Sequence, residues 1–292
     1  MSSNPATAQE SKVVGGAAAL PAMAGAEDGW VLYAVQDGVV TLTLNDGAHM
    51  NPLGDELIDA LEPALQRARR EPDMRALVLT AKGRGFSVGA DLADYRALLD
   101  APAGAPSLGA HVGRLMARMQ PLLLDLKAWP VPVVCAVNGV AAGGGVGLAL
   151  AGDMVIAAES AYFYLPFLPV LGAVPDMGTT WLLPRALGTP RAMGLALTGD
   201  RLPAARAVHW GLIWDCVPDD RLADAAQALA LRLAAMPAHA VGEARAAFAA
   251  SAHQSLAQQL EWERARQMAL VEGPSFAEGV RAFAERRPPR HR

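Results

Sequence analysis

The groups that could do chemistry fall in two glycine-bearing segments and on one aspartate. The first segment, Gly83-Arg84-Gly85-Phe86-Ser87-Val88-Gly89-Ala90-Asp91-Leu92, follows a short apolar run. Its glycines allow positive φ and let a ligand approach the main chain, and a tight turn leaves the Ala90 N–H free to point outward. An ordinary connecting loop is the other reading. The second segment, Ala136-Val137-Asn138-Gly139-Val140-Ala141-Ala142-Gly143-Gly144-Gly145-Val146-Gly147, ends a strand and opens a helix at three consecutive glycines. The first N–H groups of a helix lack internal partners and sit at the positive end of its dipole, so this turn suits a negatively charged atom. Close packing of helix on sheet would also call for those glycines. No Gly-Lys-Ser/Thr follows, which excludes a phosphate-binding P-loop. Leu148 and Leu150 stand where G-x-G-x-x-G needs its last glycine. The aspartate is Asp176, in Gly172-Ala173-Val174-Pro175-Asp176-Met177-Gly178-Thr179-Thr180. It can act as an acid or base among apolar neighbours, or cap a helical run through Trp181 and Leu182.

These segments need a scaffold, and the rest of the chain predicts one. Two β-branched runs at residues 31–35 and 39–44 meet at Asp37-Gly38, a hairpin signal. Residues 53–70 carry apolar side chains at Leu57, Ile58, Leu61, Leu65 and Ala68, the spacing of an amphipathic helix. Residues 75–80 form a short strand, residues 102–108 a Pro/Gly/Ala loop, and residues 111–126 a helix. The apolar run at residues 133–137 fits a strand covered on both faces. Strand, glycine turn and helix alternate, the pattern of an α/β fold with a mainly parallel sheet. From residue 222 to Phe283 the pattern is purely helical, whereas residues 1–27 are an Ala/Gly/Ser/Pro extension without period. The expected division is therefore an extension at 1–27, a core at 28–221 and a helical region at 222–292.

Composition narrows the function. Charged residues make up 18% and the net charge is −4, so nothing favours nucleic acid. No apolar run is long enough to span a membrane, and no basic segment precedes an apolar one at the start of the chain. The two cysteines, Cys135 and Cys216, are far apart and suggest neither a disulfide framework nor a metal site. A cytoplasmic protein without metal is expected.

Taken in order, the two glycine segments resemble the crotonase (enoyl-CoA hydratase/isomerase) superfamily, matching its GxxFSxGADL and AVNGxAxGGG stretches. Further matches are Asp153, residues 172–180, Leu183-Pro184-Arg185 with Gly188, and the terminal run from Glu278 to Arg287. The resemblance implies a spiral of ββα repeats with a helical C-terminal region that builds homotrimers, often paired into hexamers. It also implies an acyl-CoA substrate, with coenzyme A as part of the substrate and no separate cofactor. The Ala90 and Gly144 N–H groups would form an oxyanion hole for the thioester carbonyl, each donor worth about 3 kcal/mol. Val88, Asp91 and Leu92 would line the CoA path. Phe283 and Arg286 would meet it too, Arg286 at a CoA phosphate, with a neighbouring subunit as its source.

The resemblance also limits the reaction. Family hydratases use two glutamates to hold and activate water. The first aligns with Gly147 and the second with Phe167 or Leu168, and residues 163–174 hold no acid. Double-bond isomerases of the superfamily, including those similar to the ring-opening isomerase of phenylacetate breakdown, carry an aspartate where Asp176 stands. One carboxylate suffices to move a proton from one carbon to another. An enoyl-CoA isomerase using Asp176 is therefore expected. Alternatives are a hydratase or lyase whose acid comes from residues 96–111, a non-catalytic acyl-CoA binder, and a peptidase built on Ser87. Asp91 and Asp153 are expected to be structural, His111 to lie at the surface, Tyr164 and Trp181 in the core, and Asn51 to order the loop near the CoA. Residues 93–112 and 163–171 would wall the acyl pocket.

Overall fold

The computed structural model describes residues 29–102 and 104–291, so the extension expected over residues 1–27 lies outside the described residues. The hairpin forms where expected: β1 (Val31–Gln36) and β2 (Val39–Leu44) pair antiparallel, with Gln36 opposite Val39. Between them Asp37 at φ 52° and Gly38 at φ 75° adopt the left-handed conformation that matches a two-residue turn to strand twist. Helix α1 (Asp55–Arg69) then buries Leu57, Ile58, Leu61, Leu65 and Ala68, the stripe read from their spacing.

From there the chain winds, and each wind lays one strand on a large sheet and the next on a small one. The first wind carries β3 (Ala76–Ala81) and β4 (Gly85–Ser87), then α2 (Leu92–Leu99) and α3 (Leu108–Lys127). The second carries β5 (Val133–Val137), β6 (Val140–Ala142) and α4 (Gly144–Ala149). The third carries β7 (Met154–Ala158) and β8 (Tyr162–Tyr164), a wide helical turn at Phe167–Leu171, α5 (Thr179–Leu187) and α6 (Thr189–Thr198). β9 (Leu202–Pro203), α7 (Ala204–Trp210) and β10 (Asp215–Val217) complete the sheets. The large sheet runs β1-β2-β3-β5-β7-β10, parallel from β2 onward. The small sheet runs β4-β6-β8-β9, parallel except at β9. This is the expected α/β spiral of ββα repeats, and β5, buried at every position, sits at its centre.

From residue 222 the described chain carries helices and no strand, as expected: α8 (Leu222–Ala234), α9 (Ala240–Ser251), α10 (Leu256–Leu270) and α11 (Pro274–Ala284). Helix α8 is part of the core layer, because it turns Leu222, Ala226, Leu229 and Ala230 inward and packs on the large sheet. Helix α9 is tied down by Arg245, which forks onto Asp153 and also reaches the Trp129 carbonyl. Asp153 accepts in addition from the Val133 N–H (2.8 Å), so its carboxylate is spent on structure.

Two expectations need correction. Residues 93–112, expected as a variable loop that walls the acyl pocket, are largely helical. The Asp91 carboxylate accepts from the Ala93 N–H (2.8 Å) and caps α2, and the Ser107 hydroxyl accepts from the Ala110 N–H (3.2 Å) and caps α3. Trp181 is not in the core. Helix α5 turns Leu183 and Leu187 inward, leaving Trp181 54% exposed beneath the Arg185 guanidinium. Among the described residues no helix is long and apolar enough to cross a membrane.

Candidate active site

Three consecutive winds bring one group each to the same end of the small sheet. In the parallel register of β4 and β6, Ser87 stands beside Ala141. Ala90 and Gly144 each lie three residues further on, just past the ends of β4 and β6, and both line one cavity. Two neighbouring N–H groups facing one cavity can both donate to a single oxygen, each at about 2.9 Å. The close approach depends on Gly89, at φ 77°, where a Cβ would stand 2.8 Å from the Gly144 nitrogen and from the Ala142 carbonyl oxygen. Gly143, at φ 54°, gives its own N–H to the Tyr164 carbonyl (2.9 Å) and starts α4 immediately behind it. Among the described residues no hydrogen bond within the chain uses the N–H of Ala90 or of Gly144.

Asn51 holds the first segment in shape. It is fully buried at φ 54°, and its amide donates to the carbonyls of Lys82 (3.0 Å) and Gly85 (2.9 Å). Its own carbonyl accepts from the Ser87 hydroxyl (2.7 Å), which in turn accepts from the Gly89 N–H (3.2 Å). Ser87 is thus buried and committed to the backbone, and among the described residues no histidine bonds it as a peptidase would require.

Asp176 does not cap α5. That helix starts at Thr179, after Met177 at φ 49° and Gly178 at φ 75°, and its N-cap position is Gly178. The fixed part of Asp176 is its main-chain carbonyl, which accepts from the Thr179 N–H (3.0 Å) and hydroxyl (2.7 Å). The side chain swings the other way. Its buried Oδ1 has no hydrogen-bond partner and lies 3.4 Å from where a Cβ on Gly144 would be. Burial pushes the Asp176 carboxyl up to about 6, offset in part by its own backbone N–H. A lone, partly desolvated carboxylate beside two unpaired N–H groups can take a proton from one carbon and return it to another.

The cavity around these groups is apolar. Leu53, Leu92, Val112, Leu115, Met116, Met119, Phe167 and Met177 form its walls, and Val88, Ala90, Gly143 and Gly144 its main-chain floor. Asp176 is the one carboxylate that lines it among the described residues. The one carboxylate offered by residues 96–111 does not reach it: Asp100 is exposed and faces Arg96 (3.7 Å). Gly147, where hydratases would place their first glutamate, abuts Met177 so closely that a Cβ would stand 2.0 Å from the Met177 carbonyl oxygen. Among the described residues no group of three His, Cys, Asp or Glu side chains gathers to hold a metal.

The structure therefore brings together Val88, Ala90, Leu92, Gly144 and Asp176, with Asp91 capping the helix alongside. It does not bring Phe283 or Arg286 to the cavity within one chain. Phe283 is 88% exposed against a separate groove between the C-terminal helices, and Arg286 follows it at φ 53°. Sequence reasoning passed over Tyr95, which shares the cavity wall with Leu92 three residues earlier. Recognition of Asp91 as a helix cap would have put both on one face of a helix.

Comparison with known proteins identifies the family. The family described as enoyl-CoA hydratase/isomerase matches residues 34–292. The chain is 45% identical over 260 residues to the 1,2-epoxyphenylacetyl-CoA isomerase of Escherichia coli, covering 89% of this chain and 97% of that one. It is 30% identical to the trans-2-decenoyl-[acyl-carrier-protein] isomerase of Streptococcus mutans, again over 89% of this chain and 97% of the other. The crystal structure of an enoyl-CoA hydratase from Bacillus anthracis superposes with a TM-score of 0.79 at 31% identity, over 90% of this chain and 98% of that one.

Proposed function

The chain belongs to the enoyl-CoA hydratase/isomerase family, and we propose that within it the protein is an isomerase that shifts a double bond with Asp176 as its single acid and base. With a 3-enoyl thioester, Asp176 takes a proton from the α-carbon. The electron pair moves onto the thioester oxygen, and the Ala90 and Gly144 N–H groups stabilise the charge that develops there, each by about 3 kcal/mol. The dienolate then collapses and takes the proton back from Asp176 at the γ-carbon, leaving a 2-enoyl thioester. Atoms balance, because the proton that leaves is the one that returns. The raised carboxyl supports this role, since a base near 6 is closer to neutrality than an ordinary aspartate and a better donor on the way back. The 1,2-epoxyphenylacetyl thioester for which the E. coli relative is named belongs to the same class of α-proton chemistry.

The carrying observation is the buried Asp176 oxygen without a partner, beside two main-chain donors without partners. Coenzyme A enters as part of the substrate, along Val88, Asp91 and Leu92, and no separate cofactor is invoked. A homotrimer or dimer of trimers would let Phe283 and Arg286 of one chain approach the CoA of another. A cytoplasmic site fits two free thiols, Cys135 and Cys216. The test is exchange of Asp176→Asn. Turnover of 3-hexenoyl-CoA is expected to fall by about 10²- to 10⁴-fold. Full isomerase activity in that variant, or preferential hydration of 2-hexenoyl-CoA by the wild type, overturns the proposal.

A further inference from the structure

The cavity wall contains two polar side chains, Asp176 and Tyr95, and apolar groups otherwise. The proposed isomerisation of a plain hydrocarbon chain uses Asp176 and leaves Tyr95 without a task. Tyr95 is half-buried, and its hydroxyl is not sealed from water, so it can stand without a partner in the chain and remain available to a ligand in the cavity. No hydrogen bond within the described residues uses the Tyr95 hydroxyl. The ring is not loose, however. Its edge meets the His111 ring at 87° with centroids 6.0 Å apart. His111 is steadied in turn by Arg114, whose Nη2 lies 3.2 Å from Nδ1 and whose guanidinium also holds Asp55. Tyr95 is thus a positioned phenol, able to donate, in the wall of a site whose other polar side chain, once ionised, can only accept.

We propose that Tyr95 is a specificity-determining residue that donates a hydrogen bond to an oxygen carried by the acyl chain near its γ-carbon, so that the site selects oxygen-bearing acyl-CoA thioesters over plain hydrocarbon ones. Few and fixed polar groups in an apolar pocket are the usual means of orienting a ligand. Burial, and after it the nearby Asp176 carboxylate, raise the Tyr95 hydroxyl above its ordinary value, so it keeps its proton and remains a donor at and above neutral pH. An acyl oxygen held there also fixes which carbon of the chain faces Asp176. The proposal rests on the acyl-CoA assignment, but not on the identity of the base.

The test is binding, with no turnover needed. Hexanoyl-CoA and 4-methoxybutanoyl-CoA differ by one CH₂ replaced by an ether oxygen, and neither has a double bond to move. An ether oxygen only accepts, so at pH 8, with Asp176 ionised, the side chain able to bond it is Tyr95. The ratio of the two dissociation constants is measured by calorimetry for the full-length wild type and for Tyr95→Phe. Loss of one hydrogen bond should shift that ratio against the ether by about three- to tenfold in the variant. A structural role for Tyr95 would weaken both ligands alike and leave the ratio in place. A ratio that moves by less than twofold, or moves in favour of the ether, overturns the proposal. If neither thioester binds the wild type, the acyl-CoA assignment falls and the proposal falls with it. Retained turnover in Asp176→Asn, by contrast, would remove the base and leave the Tyr95 result standing.

Discussion

Asp176 is where environment most changes a residue's behaviour. Its carboxyl titrates at about 6 because burial disfavours the charged form, so the enzyme should lose its base as pH falls. The kcat/KM for a 3-enoyl-CoA is expected to rise with pH, reach half its plateau near 6 and level off above 7. A profile flat from pH 5 to 8 would contradict this. Stability should run the opposite way. The folded carboxyl holds its proton to a higher pH than the unfolded one, so stability is fullest below the unfolded value and is lost as pH rises through the folded value. Asp176→Asn escapes that loss. Its melting temperature should exceed the wild type's by a margin that opens between pH 4 and 6 and stays constant above. The aspartate was legible as a candidate because no other acid lies in that stretch of sequence. Its orientation was not, because the alternative role as a cap turns on whether the helix starts at 176 or at 179. Two consecutive left-handed residues, Met177 and Gly178, decide that point. Methionine gives little sequence warning of positive φ.

At the scale of elements, the two glycine segments could be found by inspection, since positive φ and close approach leave only glycine. What could not be read was the partner of each glycine. Gly147 is the clearest case. In the sequence it is merely an absent glutamate, whereas in the structure its Cα presses on the Met177 carbonyl. Gly147→Ala must therefore push the Asp176–Met177 turn outward. It is expected to cost about 1–3 kcal/mol of stability, as overpacking does, and to reduce turnover although it touches no substrate. A variant with both wild-type melting temperature and wild-type kcat would show that the turn yields freely. Helix α2 was missed for a different reason. It is short and has no buried residue, so periodicity is silent, and only its Asp91 cap announces it. Asn51 was expected to order the CoA loop, but its reach to Lys82 and Gly85 joins segments that local pattern cannot connect.

At the scale of the whole molecule, alternation of strand, glycine turn and helix indicated a parallel α/β fold. It did not show that consecutive strands go to different sheets, because assignment to a sheet depends on pairing across winds. The surface outside the core is also informative. Phe248, Leu256, Phe276 and Phe283 are 77%, 76%, 49% and 88% exposed along the C-terminal helices, more apolar surface than a lone chain carries without reason. Sedimentation equilibrium is expected to return a multiple of three times the 30.5 kDa chain mass, and Phe283→Asp to lower it. A monomer at micromolar concentration would refute the assembly and leave Phe283 and Arg286 without a route to any CoA. The spiral itself has a further consequence. Ala90 and Gly144 follow directly on neighbouring strands of the small sheet, whereas much of the cavity wall comes from helices hung on connections outside it. Those connections can lengthen or shorten without moving the donors. Descendants of one such chain can therefore drift from substrate to substrate while inheriting the same treatment of the thioester.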